Sequence, residues 1–198
     1  NPDSRATLGG VALFMLGVLL FACMDTTTKY LVASYPAPMV VALRYIVQCL
    51  LTVLLLSPSQ GRSLIQTRRT GLVLLRAACI ATASICMTLA LQRMPVAEAS
   101  AVVFLAPMLV VLMAGPVLRE QVAGSSWLAA SAGFIGVLLI ARPGGGLDAI
   151  GVALALCAAT ANAIYQLLSR VLASSEHTVA LLFYSALVGA VCFGASLP

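Results

Sequence analysis

Charged side chains are scarce: Asp, Glu, Lys and Arg make up 9% of 198 residues, against about 25% in a soluble globular domain. So few charges cannot cover a surface in water, and a soluble fold is excluded. Histidine occurs once, at His177. With no CxxC pair, zinc-ligand spacing or serine elbow beside it, hydrolytic chemistry lacks a base and a metal lacks ligands. The reading is that the chain is not an enzyme and takes no cofactor and no metal. The six cysteines, Cys23, Cys49, Cys79, Cys86, Cys157 and Cys192, each fall inside an apolar segment and read as small reduced core residues, not disulfides. The formal charge of +5 is spread between apolar segments without a basic helix or an aromatic-interleaved patch, so nucleic acid is not an expected partner.

What is abundant is apolar length. Hydrophobic residues make up 62% of the chain and the mean hydropathy is +1.08. Apolar runs, divided by Pro, Gly and charge, predict seven spans at 8–31, 38–57, 71–91, 96–118, 123–141, 148–169 and 178–197, where roughly 20 residues cross a bilayer. Short connections favour one antiparallel bundle. The predicted fold class is therefore an all-α integral membrane protein, a polytopic helix bundle with the lipid bilayer as its solvent. Arg62, Arg68 and Arg69, with Arg76 just inside the third span, form the densest positive cluster and predict a cytoplasmic connection. Alternation then places the N-terminus in the cytoplasm, with Arg5, Arg119 and Arg170 on that side and Lys29, Arg93 and Arg142 on the other. The chain opens Asn1-Pro2-Asp3 with no tripartite leader and stops in an apolar run at Leu197-Pro198, so a fragment of a longer protein is expected.

A gap-free shift of 141 positions lays Gly10-Val11-Ala12-Leu13 on Gly151-Val152-Ala153-Leu154, Ala22 on Ala163, Leu31 on Leu172 and Ser34 on Ser175. Thr28/Ser169 and Lys29/Arg170 follow in the same frame. The copies start five spans apart, an odd number, so they must cross the membrane in opposite senses. Residues 1–142 then form a first repeat of five helices and 147–198 the first two helices of a second. Inverted repeats of this kind most often support alternating access.

Ionisable groups inside a span are costly and normally face the bundle interior or a wet cavity. Asp25 and Lys29 lie one turn apart, either as a structural ion pair or as a substrate or proton site. Arg44, deep in the second span with Gln48 one turn on, needs Asp25, Glu98 or an anionic substrate group as partner. Ser84, Thr88 and Gln92 draw a polar stripe that either lines a cavity or bonds between helices, with packing the favoured role for Ser84. Asn162, Gln166 and Arg170 recur every four residues in the sixth span, and Tyr165 beside them is placed to stack on a planar substrate or simply to pack. Pro107 and Gly115-Pro116 predict a helix kinked or broken twice, with Pro107 as its hinge. Gly133 and Gly136 predict close helix packing. The expected site residues are Asp25, Lys29, Arg44, Gln48, Thr88, Gln92, Asn162, Tyr165 and Gln166, around a cavity lined by spans one, three, four and six.

Several of these elements resemble the drug/metabolite transporter superfamily and its EamA-like branch. They are Asp25 to Leu31, Pro38 followed by Arg44-Tyr45, Thr88-Leu89-Ala90-Leu91, Pro95 to Ala101, Leu105-Ala106-Pro107, Leu118-Arg119-Glu120 and Gly133 to Ile140, in that order. Arg119 stands where the family usually has Gly before its glutamate. The resemblance implies ten spans in two five-helix inverted repeats, both termini cytoplasmic, and movement of small organic metabolites across the bacterial inner membrane. Amino-acid-like, nucleoside- or vitamin-like and drug-like molecules are the candidate substrates, protons the candidate coupling ion and a homodimer the candidate assembly. The alternative is a membrane scaffold or sensor subunit that transports nothing.

Overall fold

The computed structural model describes residues 2–61, 65–118, 124–141 and 148–195. Arg62, Arg119, Glu120 and Arg142, and their share of the charge-topology reading, lie outside the described residues. Among those described, eight helices and no strands occur: α1 (Pro2–Leu31), α2 (Ala37–Gln60), α3 (Thr70–Arg93), α4 (Val96–Val103), α5 (Ala106–Leu118), α6 (Gly124–Ala141), α7 (Ala149–Leu172) and α8 (Thr178–Gly194). Gly9–Leu31, Ala37–Leu56, Thr70–Arg93, Val96–Gly115 and Ala149–Leu172 are long and apolar enough to cross a bilayer, while α8 is a shorter apolar helix of 17 residues. The chain is a multi-pass helical membrane protein.

Local chemistry accounts for the element ends. Gly61, at φ 48°, takes the left-handed conformation just past α2 that a side chain would resist. Asp148 caps α7 by accepting the Ile150 N–H at 2.9 Å. The fourth predicted span is two helices: Phe104 N–H still reaches Ser100 O, but Leu105 N–H tightens onto Val102 O at 3.1 Å. Pro107 follows in the first turn of α5, where its missing N–H costs no intrahelical bond. The second predicted break does not occur. Helix α5 runs through Gly115-Pro116 to Leu118, leaving too little helix beyond the proline to bend away.

Helix α3 is the hub, touching α1, α2, α4, α7 and α8, and its most extensive partner is α7, which runs antiparallel to it. Alanines meet there from both sides, with Ala90 on α3 sharing a buried core with Ala155 and Ala159 on α7. Small residues let helix backbones approach, the usual source of cohesion where lipid competes for every apolar surface. Lipid takes the rest: Leu13 and Phe14 on α1 are more than 70% exposed. The packing expected at Gly133 and Gly136 is absent, since a Cβ at either would meet nothing within 4 Å. Nor are the cysteines uniformly core residues. No disulfide forms among the described residues, and of the six cysteines only Cys86 is buried, whereas Cys23, Cys157 and Cys192 are exposed on the bundle surface.

The shift of 141 positions reappears in the backbone. Helices α1 and α7 end at Leu31 and Leu172, and α2 and α8 begin at Ala37 and Thr178. Between them, Val32 N–H to Thr28 O matches Ala173 to Ser169, Ser34 to Leu31 matches Ser175 to Leu172, and Tyr35 to Leu31 matches Glu176 to Leu172. These equivalent turns sit at opposite ends of α3: Lys29 beside the first reaches Met94 O at its C-terminus, and Glu176 in the second reaches Arg69 N–H at its N-terminus.

Helices α2 and α8 also pair extensively, with the Tyr45 ring lying directly over Gly189. A Cβ there would fall 2.3 Å from Tyr45 Cδ1, closer than any real contact. Gly189→Ala should therefore destabilise the bundle by about 1–3 kcal/mol through overpacking, lowering the thermal unfolding midpoint in detergent, and Tyr45→Ala in the same chain should recover part of the loss. At the α3–α7 end, Arg93 Nη1 donates to Asp148 Oδ2 at 2.9 Å. That bond, then the Ile150 N–H, holds the Asp148 carboxyl below the usual carboxylate range. A depressed folded value contributes stability above the unfolded pKa of about 3.9 and loses it as pH falls through the folded one. Thermal midpoints taken from pH 6 down to about pH 3 should fall more steeply for the native chain than for Asp148→Asn.

Candidate functional site

Three charges within or beside the spans, Lys29, Arg76 and Glu176, are spent on the backbone or on neutral groups. Lys29 does not pair with Asp25 as expected; its Nζ donates to Leu91 O and, at 3.1 Å, to Met94 O, closing the C-terminal carbonyls of α3. Glu176, 9% exposed, does the converse. It accepts the Arg68 N–H at 2.8 Å and the Arg69 N–H at 2.7 Å, immediately before α3 begins. The helix dipole favours an anion at the first end and a cation at the last, and α3 receives both from other elements.

Arg76, read from sequence as part of the loop cluster, is a buried centre instead. Its Nε donates to Ser169 Oγ at 2.7 Å, Nη1 to Leu181 O at 3.0 Å and Ser185 Oγ at 2.9 Å, and Nη2 to the Tyr165 hydroxyl at 2.9 Å. Its guanidinium carbon lies 4.4 Å from the centre of the Tyr165 ring. Tyr165 therefore packs on this arginine, the second of the two roles its position offered. No carboxylate is involved: the cation is held by dipoles and a ring from α7 and α8. An arginine two turns into an apolar helix was the available signal, but its acceptors lie some 90 to 110 residues away in sequence.

The polar stripe on α3 divides. Ser84 Oγ lies 2.9 Å from the Tyr45 hydroxyl, an interhelical bond to α2 that agrees with the packing role. Thr88, 2% exposed, returns its hydroxyl to Ser84 O at 2.7 Å, and Gln92 is exposed. A cavity is expected among spans one, three, four and six; where the last three meet lies an apolar core of Ala90, Leu91, Met94, Ala99, Val102, Leu105, Ala155 and Ala159. Asn162 is half-buried, and Gln166 and Arg170 are exposed on α7. Among the described residues no three His, Cys, Asp or Glu side chains gather as metal ligands.

Three charged groups stay unspent. Asp25, 7% exposed on α1, accepts no hydrogen bond from the described residues, yet lies within electrostatic reach of Arg44. Arg44 is half-buried on α2; among the described residues its one hydrogen bond is a weak one to Met24 Sδ at 3.9 Å, and its own neighbour's ring lies 5.3 Å away. With Gln48 it lines a groove of 390 Å³ that continues along Val47, Leu51 and Leu55. Glu98, in the first turn of α4, buries Oε2 without a partner. Of the partners expected for Arg44, namely Asp25, Glu98 or an anionic substrate group, neither carboxylate forms an ion pair with it among the described residues.

The helices and their embedded, unspent charges define a polytopic membrane protein with polar chemistry held inside an apolar bundle. The chain belongs to the EamA-like transporter family, whose model matches residues 8–142. It is 24% identical over its whole length to proteins named S-adenosylmethionine uptake transporter from Rickettsia prowazekii (strain Madrid E) and Rickettsia conorii (strain ATCC VR-613 / Malish 7). It is 23% identical over 92% of its length to a protein of the same name from Rickettsia bellii (strain RML369-C). The chain spans 66% of the first two relatives and 62% of the third. No solved structure matches it.

The Arg76 cluster is open to a direct test. Tyr165→Phe keeps the ring over the guanidinium and removes one acceptor, so stability should fall by roughly 0.6–1.7 kcal/mol, the range measured for interhelical bonds in a bilayer. Thermal unfolding of the purified protein measures this.

Proposed function

We propose that this chain is part of a secondary transporter that moves a small zwitterionic metabolite across the bacterial inner membrane by alternating access. The observation that carries the reading is the Asp25 and Arg44 pair. They are opposite charges from adjacent helices, each within electrostatic reach of the other, and among the described residues Asp25 accepts no hydrogen bond and Arg44 makes only a weak one to a thioether. Charges this expensive to bury persist where a ligand completes them. An α-ammonium would complete Asp25 and a carboxylate Arg44. S-adenosylmethionine, the compound in the relatives' names, carries both and adds a sulfonium cation, for which the unpartnered Glu98 carboxylate is a suitable counter-charge.

The matching turns at opposite ends of α3 support the assignment of 1–142 to one five-helix repeat and 147–198 to the start of an inverted second. The arginine-bearing connection before α3 supports a cytoplasmic placement of that end, and with it of the N-terminus. The break at Phe104–Leu105, just before Pro107, is where the fourth span would bend. Protons as coupling ion and a homodimer belong to the same reading.

Uptake of labelled S-adenosylmethionine by proteoliposomes holding the full-length protein tests it. Asp25→Asn and Arg44→Ala should each reduce the rate at least tenfold, about 1.4 kcal/mol or more of lost interaction, with Thr160→Ala on the α7 surface as the unaffected control. Native rates in both variants would remove the pair from the site.

A further inference from the structure

We propose that Cys86 and Cys157 form a redox-sensitive pair whose oxidation to a disulfide pins α3 to α7. Their Sγ atoms lie 3.6 Å apart, on the two helices that share the most extensive contact. A disulfide needs about 2.05 Å between sulfurs, and alanines on both faces, Ala83 and Ala90 on α3 with Ala155 and Ala158 on α7, hold the partner helices close. The thiols differ in access. Cys157 is exposed on the bundle surface and Cys86 is buried, an arrangement in which the first meets an oxidant and the second resolves the product. With a hydroperoxide, the Cys157 thiol loses its proton and attacks the outer oxygen; an S–O bond forms, the O–O bond breaks, and an alcohol leaves with that proton. Cys86 sulfur then attacks the sulfenic sulfur; the S–S bond forms, the S–O bond breaks, and water leaves with the Cys86 proton. Two thiols are oxidised by two electrons and the peroxide bond is reduced by two.

Helix α3 belongs to the first proposed repeat and α7 to the second, so the bond would join the parts that alternating access moves against each other. This consequence rests on the transporter reading; the thiol chemistry does not. The test uses full-length protein in proteoliposomes, with Cys23, Cys49, Cys79 and Cys192 replaced by alanine, treated with tert-butyl hydroperoxide and then with a phosphine reductant. Mass spectrometry should find a Cys86–Cys157 linked peptide, absent from Cys86→Ala and Cys157→Ala. Linkage should raise the thermal midpoint by about 5–10 °C. Uptake should fall at least tenfold on oxidation and return on reduction, while Cys86→Ala stays active throughout. Unlinked thiols after treatment would overturn the pair, and a linked protein with unchanged uptake would overturn the lock. Absence of uptake from the reduced protein would count against the transporter reading, and the linked peptide and its thermal shift would still decide the thiol pair.

Discussion

Helix α3 cannot end in hydrocarbon with bare backbone groups, and much of the bundle follows from that constraint. An unsatisfied N–H or C=O away from water costs several kcal/mol, and each helix end leaves four of its groups without intrahelical partners. The chain supplies Glu176 to the first end and Lys29 to the last. Each comes from a different helix–helix turn or helix terminus, so satisfying α3 also fixes where α1, α7 and α8 must lie. Arg76 extends the same logic into the helix body, gathering Ser169, Tyr165, Ser185 and the Leu181 carbonyl. The apolar contacts then have only to fill space, and alanines do so along the α3–α7 seam.

Against this background the idle charges stand apart. A membrane protein that neutralises Lys29, Arg76 and Glu176 through neutral partners has the means to neutralise Asp25, Arg44 and Glu98 in the same way. Their isolation leaves room for a ligand whose own charges finish the circuit. Arg44 illustrates the contrast within a single helical step: the adjacent Tyr45 is committed to Ser84, Ile80 O and Gly189, while the hydrogen bond of Arg44 among the described residues is a weak one to a thioether.

The architecture was largely legible before any coordinates. Apolar run length placed five helices long and apolar enough to cross a bilayer, and Pro107 marked the division of the fourth predicted span, because these signals are local. Gly115-Pro116 misled because a proline near a helix end has little left to kink. The site was legible only as a list of residue types. Spacing cannot say that Lys29 turns toward Leu91 and Met94 rather than Asp25, or that Tyr165 lies on Arg76, since those partners lie far away in sequence. The proposed repeat draws on more than its few identities. Backbone hydrogen bonds at Leu31 and Leu172 agree where side chains have diverged.

Lys29 also sets how α1 can move. From Val11 to Phe21 that helix presents apolar side chains to its surroundings, and it meets α3 and α4 only lightly, so little resists its tilting. An axial slide, however, would draw the ammonium off the Leu91 and Met94 carbonyls and strand both ends of the contact in a low-dielectric medium. The first helix is therefore mounted as a lever on a single ball joint, free to swing and barred from acting as a piston.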